Sequence, residues 1–455
     1  MTGSFLGELI QTIADRGRAW IAPERETPPS PTHLLRLCEA LLSNRGEASG
    51  VRLAQEILIG WQGLTAGDQR AFLHGLAAQF GPDADALAKA IAAYQAAPTP
   101  AGATRLHIAA EARRQELLRR LNLAPGGTLA LVRLREKLLD QPDGSGDYAA
   151  LDADLTHLFT SWFNRGFLVL RTIDWKTPAN ILEKIIRYEA VHRIHDWNDL
   201  RRRLEPEDRR CFGFFHPQLN DEPLIFVEVA LTRAIPDAIA PLLAEDRAPI
   251  PAREATTAVF YSISNCQTGL RGISFGNFLI KHVVETLSRE FPRLSNFVTL
   301  SPVPGFAGWL ARARQENSDL LTAEDHAALT LLETPDWESQ AESRKALEPV
   351  LLRAAAAYFL DAKDKRGRPV DPVARFHLGN GARLERLNPF GDLSAKGLRQ
   401  AHGLMVNYLY RPEEIERNHE AFATLGEVVA APAVSKWRQA PRRSLGDRLR
   451  DLAPS

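Results

Sequence analysis

Residues 258–302 read AVFYSISNCQTGLRGISFGNFLIKHVVETLSREFPRLSNFVTLSP. AVFYSISN (258–265) is a β-branched and aromatic run bounded by turn residues, which is strand chemistry. QTGLRGISFG (267–276) then spaces three glycines through a loop, and NFLIKHVVETLSREF (277–291) carries apolar residues at helical intervals. NFVTLS (296–301) is a second strand. Working outward, FLVLRTI (167–173) and LIFVEVAL (224–231) are further strands, while NILEKIIRYEAV (180–191) and IPDAIAPLLAE (235–245) are helical. Strands mixed with helices make residues 158–455 an α/β or α+β domain. A helical block over about 321–362 precedes a last mixed segment, and the final 25 residues, from about 431, have the composition of a loose, flexible tail.

Residues 1–157 have another texture. HLLRLCEALLSN, VRLAQEILIGWQGL, DQRAFLHGLAAQFG, DADALAKAIAAYQAA, AEARRQELLRRLNLA and ALVRLREKLLDQ each repeat apolar residues every three or four positions, with Pro and Gly between them. Short connections between amphipathic helices imply an antiparallel bundle. No cluster of catalytic residue types stands out in it, so it reads as packing or assembly surface, with a dimer or tetramer expected.

With 455 residues the chain exceeds one ordinary core, and two or three domains are expected. The 56 basic residues balance 56 acidic ones, so nothing points to nucleic acid or a membrane surface as partner. Arg201-Arg202-Arg203 and Arg442-Arg443 read as solvated faces. No apolar run approaches the roughly 18 residues of a membrane-spanning helix. The start lacks a secretory or transit-like layout and the end is not a peroxisomal address, which makes the cytoplasm the expected location. Cys38, Cys211 and Cys266 have no zinc or disulfide spacing, and Cys266 adjoins the glycine loop.

Three stretches carry chemistry. Gly269, Gly272 and Gly276 strip side chains from a loop that feeds a helix N-terminus, where backbone N–H groups and the helix dipole favour a phosphate. The loop matches neither the Walker pattern nor a clean GxGxxG, and it is equally readable as a tight strand-to-helix turn. Ser301 precedes Pro302, and Val303 precedes Pro304, so both are pushed toward extended backbone. Ser301 would face the groove between its strand and the preceding one if the sheet splays there. In DPVARFHLGNGARLERLN (371–388), His377 follows what reads as an extended run and precedes a Gly-Asn-Gly turn signal. Histidine suits proton transfer near neutral pH. GLMVNYLYR (403–411) reads as an amphipathic strand.

Taken in order, SWFNRGFL, FFHPQLNDEPLIFVEVALT, the 258–310 segment, DPVARFHLGNGARLERLN and GLMVNYLY resemble the malonyl-CoA decarboxylase family over about 158–410. The resemblance implies a GNAT-like (acetyltransferase-type) catalytic domain after a helical oligomerisation domain. It implies that Gln267, Thr268, Gly269, Leu270, Arg271, Gly272, Ile273, Ser274, Phe275, Gly276 and Asn277 bind the CoA pyrophosphate, and that Ser301, His377 and Tyr410 are catalytic. Some relatives carry glutamate where this chain has Ser274; Asn265 or Glu285 are candidate substitutes for such an acid.

The implied reaction turns malonyl-CoA into acetyl-CoA and CO2, with malonyl-CoA and acetyl-CoA as the expected small-molecule partners. The thioester itself accepts the electrons, so no metal or cofactor is expected. Donors aimed at the developing enolate oxygen supply most of the rate enhancement in such chemistry. Two alternatives share the fold: acyl transfer from a CoA thioester to an amine, and a non-catalytic malonyl-CoA sensor.

Overall fold

A computed structural model of the chain describes residues 29–43, 46–141, 146–273, 279–316, 318 and 321–438. Contacts divide the chain into two units, Met1–Phe159 and Thr160–Ser455.

The first unit is helical: α1 (Pro31–Ser43), α2 (Glu47–Gln62), α3 (Ala66–Gln79), α4 (Ala84–Ala96), α5 (Pro100–Ala110), α6 (Arg113–Asn122), α7 (Gly127–Leu139) and α8 (Gly146–Trp162). Thr65, Asp83 and Thr99 cap α3, α4 and α5 by accepting from the N–H groups of Asp68, Ala86 and Gly102, which satisfies donors that a helix start leaves orphaned. Helix α1 lies close against its neighbours because glycine stands opposite leucine. A methyl on Gly60 would sit 2.6 Å from Leu34 Cδ2, and one on Gly75 would sit 2.4 Å from Leu35 Cδ1. Leu41, Ile57, Phe72, Leu76, Leu118 and Leu131 fill the core, each contributing about 1.5–3 kcal/mol of burial. Helix α4 buries no residue, and Ile91 and Ile108 are exposed.

The second unit is built on an eight-stranded mixed sheet: β1 (Val169–Ile173), β2 (Arg209–Phe215), β3 (Pro223–Thr232), β4 (Thr257–Asn265), β5 (Asn296–Thr299), β6 (Ser301–Pro302), β7 (Arg383–Asn388) and β8 (Met405–Tyr410). β1 to β4 pair antiparallel in sequence order, whereas β4 and β5 are parallel. The crossover between them is the glycine loop followed by α12 (Leu279–Glu290), which packs Ile280, Val283, Val284 and Leu287 inward. Along one edge β8 receives β5 and then β6, and along the other it receives β7. Every residue of β8 is buried, so GLMVNYLYR is a central strand rather than an amphipathic one. A helical unit followed by this mixed sheet, with a loop-to-helix crossover at its parallel junction, is the GNAT-like architecture expected.

The remaining helices are α9 (Ala179–Tyr188), α10 (Trp197–Leu204), α11 (Ala240–Leu243), α13 (Phe306–Gln315), α14 (Ala323–Leu329), α15 (Ala341–Leu360), α16 (Pro372–Gly379), α17 (Ala395–Ala401), α18 (Ile415–Leu425) and α19 (Pro432–Ser435). Three expectations change here. The stretch 235–245 forms only the single turn of α11, because Pro241 has no N–H to bond back to Asp237 and so fits only the first turn of a helix. DPVARFHL is helical, not extended: Asp371 accepts from Ala374 N–H as its N-cap, and Pro372 fits the first turn. Arg201 is exposed and Arg202 half-buried, but Arg203 is buried between Asp199 and Glu228, 3.1 Å from the latter. Of the expected tail, Val434 is buried and Arg438 Nη2 lies 2.6 Å from Asp361; 439–455, with Arg442-Arg443, lie outside the described residues.

Candidate active site

The parallel pairing of β4 with β5 ends at Phe260 and Thr299, closed by Leu300 N–H donating to Phe260 C=O at 3.0 Å. β4 runs on to Asn265, while Ser301 turns away to pair with Val406 of β8. Two strands that part in this way leave a groove between them. A β-bulge sharpens it. Glu228 pairs with Ser262 and Val229 with Phe260, so Tyr261 is the extra residue, and both Phe260 and Tyr261 reach the groove. The result is an inner cavity of about 270 Å³ lined by Ser301, His377, Tyr261, Ile263, Asn265, Val191 and Pro302, among others.

Ser301 is 5 % exposed. Its Oγ lies 3.2 Å from His377 Nε2 and donates to Thr299 Oγ1 at 2.9 Å. Thr299 Oγ1 also accepts from Tyr408 N–H, and Thr299 C=O accepts from Asn407 Nδ2 at 2.7 Å. The strand end is therefore held to β8 by side chains as well as by the proline-stiffened backbone.

His377 reaches the groove from the last turn of α16. Asp371, which caps that helix, accepts at 3.1 Å from Tyr358 O–H. The imidazole stacks on Tyr408 with centroids 4.6 Å apart, and its Nδ1 lies 2.8 Å from Tyr410 Oη. Burial pulls its pKa down to about 3, so the ring is neutral at physiological pH. One order of protons satisfies all three bonds: Tyr410 donates to Nδ1, Nε2–H donates to Ser301, and Ser301 donates to Thr299. Tyr410 lies behind the ring and does not line the cavity.

An outer cavity of about 420 Å³ abuts the inner one at Asn265 and Phe376, which line both. The expected loop residues Gln267, Thr268, Leu270, Arg271, Gly272 and Ile273 line it. Gly269 is buried in the turn Thr268–Leu270 without lining it. Gly272 adopts φ +83°, a left-handed conformation that favours glycine. Ser274, Phe275, Gly276 and Asn277 lie outside the described residues. Of the two substitutes for an acid, Asn265 lines both cavities, whereas Glu285 is exposed on α12 and lines neither.

Sequence reasoning missed Thr299, Val191 and Asn380. Thr299 stands two residues before Ser301, hence on the same strand face, and that spacing was a usable signal. Val191 reaches the groove because Glu189 accepts from Val191 N–H, His192 N–H and Ser262 Oγ, while Lys396 Nζ donates to Val191 C=O. No local pattern announces that arrangement. Cys266 faces away, in an apolar cluster with Cys211, and burial pushes its thiol well up; it is packing, not chemistry. Among the described residues, no group of three or more His, Cys, Asp or Glu could hold a metal ion.

Residues 166–447 match the malonyl-CoA decarboxylase C-terminal domain, and 80–163 match the N-terminal domain of that family. The chain belongs to the malonyl-CoA decarboxylase family. It is 61% identical to a solved malonyl-CoA decarboxylase from Rhodopseudomonas palustris, with a TM-score of 0.87 over 90% of this chain and 100% of that one. It is 60% identical to one from Agrobacterium vitis, with a TM-score of 0.85 over the same shares. The mitochondrial malonyl-CoA decarboxylase of Anser anser anser is 35% identical over 420 residues, which is 84% of this chain and 82% of that protein. Those mitochondrial malonyl-CoA decarboxylases, from goose, mouse and rat, overturn the assignment to the cytoplasm, which rested on the look of the two termini and on the cysteine spacing. Among the described residues, no helix is long and apolar enough to cross a membrane.

Proposed function

We propose that this malonyl-CoA decarboxylase releases CO2 from malonyl-CoA through a thioester enolate, without metal or cofactor, at the Ser301–His377–Tyr410 chain. The observation that carries this reading is the hydrogen-bonded, uncharged proton chain ending at a cavity between parted strands. The acyl group occupies the inner cavity with its carboxylate near Ser301. The CoA arm and pyrophosphate occupy the outer cavity along the described part of the loop, residues 267–273. As the carbon–carbon bond breaks, its electron pair moves onto C2 and the thioester oxygen. A thioester enolate is basic enough to draw a proton from a neutral donor, so C2 takes its proton from Ser301 O–H. Ser301 is refilled by His377 Nε2–H and the ring by Tyr410 O–H; once acetyl-CoA and CO2 have left, a proton from water entering the cavity returns along the same chain and restores Tyr410. Tyr410 fixes the tautomer and does not touch substrate. Walls that exclude water strengthen each of these interactions.

The helical unit holds copies of the chain together as a dimer or tetramer. Helix α4, which buries no residue of its own, and the exposed Ile91 and Ile108 support that reading. Release of labelled CO2 from malonyl-CoA by the purified protein, with no acceptor present and chelator added, tests the main proposal. Release only when an amine acceptor is supplied would assign acyl transfer instead, and tight binding without release would assign a sensor.

A further inference from the structure

A β-bulge in β7 decides which side chain stands opposite Asn407. Arg383 pairs with Leu409 and Leu384 with Tyr408, so an unbroken ladder would set Glu385 against Asn407. The register slips by one residue there, and Arg386 takes the place instead. Glu385, the extra residue, is drawn off by Arg383, whose Nε donates to it at 2.8 Å. The bulge thus delivers a cation where the register would have put an acid. Arg386 Nε donates to Asn388 Oδ1 at 2.7 Å and to Asn407 Oδ1 at 3.0 Å. Its Nη2 donates to the C=O groups of Ile235 and Pro236, at 3.2 and 2.7 Å. All four of these acceptors are uncharged, whereas Arg203 and Arg383 meet carboxylates.

A guanidinium donates hydrogen bonds and cannot accept them. Both amide oxygens must therefore turn toward Arg386, which leaves each NH2 group free to donate elsewhere. Asn388 Nδ2 donates to Asn407 Oδ1 at 2.8 Å, and Asn407 Nδ2 donates to Thr299 C=O at 2.7 Å. Thr299 Oγ1 in turn accepts from Ser301 O–H at 2.9 Å. Asn388, Asn407 and Thr299 are all buried. One cation thus orients a second chain to Ser301, separate from the one that runs through His377 and Tyr410. With the amide of Asn407 turned over, oxygen would face oxygen at Thr299, and the strand end that carries Ser301 would lose that anchor. Resting on the proposed function, the Ser301 hydroxyl must lie within reach of C2 as CO2 leaves. A misplacement of about 1 Å can cost about a hundredfold in rate. We propose that Arg386 is a positioning residue for decarboxylation: it fixes the direction of the Asn388–Asn407–Thr299 chain and so holds the Ser301 hydroxyl in place. Arg386 lines neither cavity, so it acts through that chain alone.

The test compares three variants of the full chain by turnover of malonyl-CoA, calorimetry with acetyl-CoA, and crystallography. A buried hydrogen bond to a charged group is worth about 10- to 100-fold. Arg386→Met should therefore lower kcat about a hundredfold, while KM and the affinity for acetyl-CoA stay within about threefold. Arg386→Lys keeps a cation that only donates, and should recover about tenfold of that loss. Asn407→Asp separates position from fold. Its carboxylate can pair with Arg386, but it has no N–H for Thr299 C=O, so kcat should again fall about a hundredfold with stability kept. Crystal structures of Arg386→Met and Asn407→Asp should show the Ser301 hydroxyl displaced by about 1 Å. Normal kcat in Asn407→Asp overturns the inference, as does an unmoved Ser301. Variants that lose acetyl-CoA binding and stability in step with turnover overturn it too, since that is the mark of a merely structural role. If Arg386→Met fails to fold, Asn407→Asp carries the test, because it adds an ion pair. The expected displacement in a protein that releases no CO2 from malonyl-CoA would sink the proposed function and leave the hold of Arg386 on Ser301 standing.

Discussion

Two buried polar clusters, one in each unit, end on different terms. In the first, Arg114 pairs with Asp154, its Nη1 donates to Ala77 C=O at 3.2 Å, and Gln115 Nε2 donates to Asp154 at 2.6 Å. Charge meets opposite charge, and the remaining valences are filled from the same unit. In the second, Ser301, His377 and Tyr410 are buried without a counter-charge, and their chain opens onto a cavity. A closed polar cluster holds a fold together, whereas one with an open end holds a place for something else.

The sharpest break of that contrast is His377→Ala. Proton-transfer groups contribute about 10²–10⁴-fold, so kcat should fall by about a thousandfold while calorimetry shows CoA-ester binding kept. Near-normal turnover would remove His377 from the chemistry. In the first unit, Arg114→Met should leave kcat unchanged and cost about 3 kcal/mol in chemical denaturation, since it strands a buried carboxylate. The double change Arg114→Met with Asp154→Leu should recover most of that loss. If the single variant proves as stable as the parent, the closed cluster is not what holds these helices.

Tyr410→Phe removes both the hydrogen bond behind the ring and the proton that refills it, and at least a tenfold loss of kcat with KM unchanged is expected, about 1.4 kcal/mol or more. The smallest effect is a shape. Because burial lowers His377 to about 3, its titration should leave no step in kcat near pH 6.5, and activity should decline only as pH nears the lower value. The same shift has a defined sign for stability. Between about 3 and the ordinary value of 6.5 the unfolded chain binds the proton and the folded chain does not. Acidification through that window therefore removes stability, and replacing His377 with Phe should flatten that slope. The ring's close neighbours, Ser301, Tyr408 and Tyr410, are uncharged there.

Much of this was legible in the chain. Ser301 drew notice through the two prolines after it, and the glycine loop through its place between a strand and a helix, but the roles expected of both came mostly from the family resemblance. His377 became a candidate site residue through family resemblance, and its local backbone was misread. Asp-Pro ahead of an apolar stretch is a helix-start signal, but the Gly-Asn-Gly that follows drew the reading toward a strand end. β2 was hidden because Arg209, Arg210 and Gly213 interrupt its apolar pattern. Arg203 looked solvated beside Arg201 and Arg202, but each step along a helix turns the side chain by about 100°, which carries Arg203 round to the buried face. Thr299 required only that strand alternation be applied one step upstream. Asn380 was read as turn chemistry; its donor does serve the turn, and only the fold brings it to the wall of the outer cavity.

β8 carries one further consequence, which concerns the order in which the protein is made. β5, β6 and β7 all find their partner in Met405–Tyr410, and Ser301 precedes that strand by more than a hundred residues. While the chain is being synthesised, N-terminal segments fold first, so the helical unit and β1 to β4 emerge with β5 still lacking an edge. The hydroxyl of Ser301 acquires its strand partner, and His377 its Tyr410, only when the ribosome has nearly finished. Chains released early would carry the strand β4 and the loop after it, but not the hydrogen bonds that join Ser301, His377 and Tyr410.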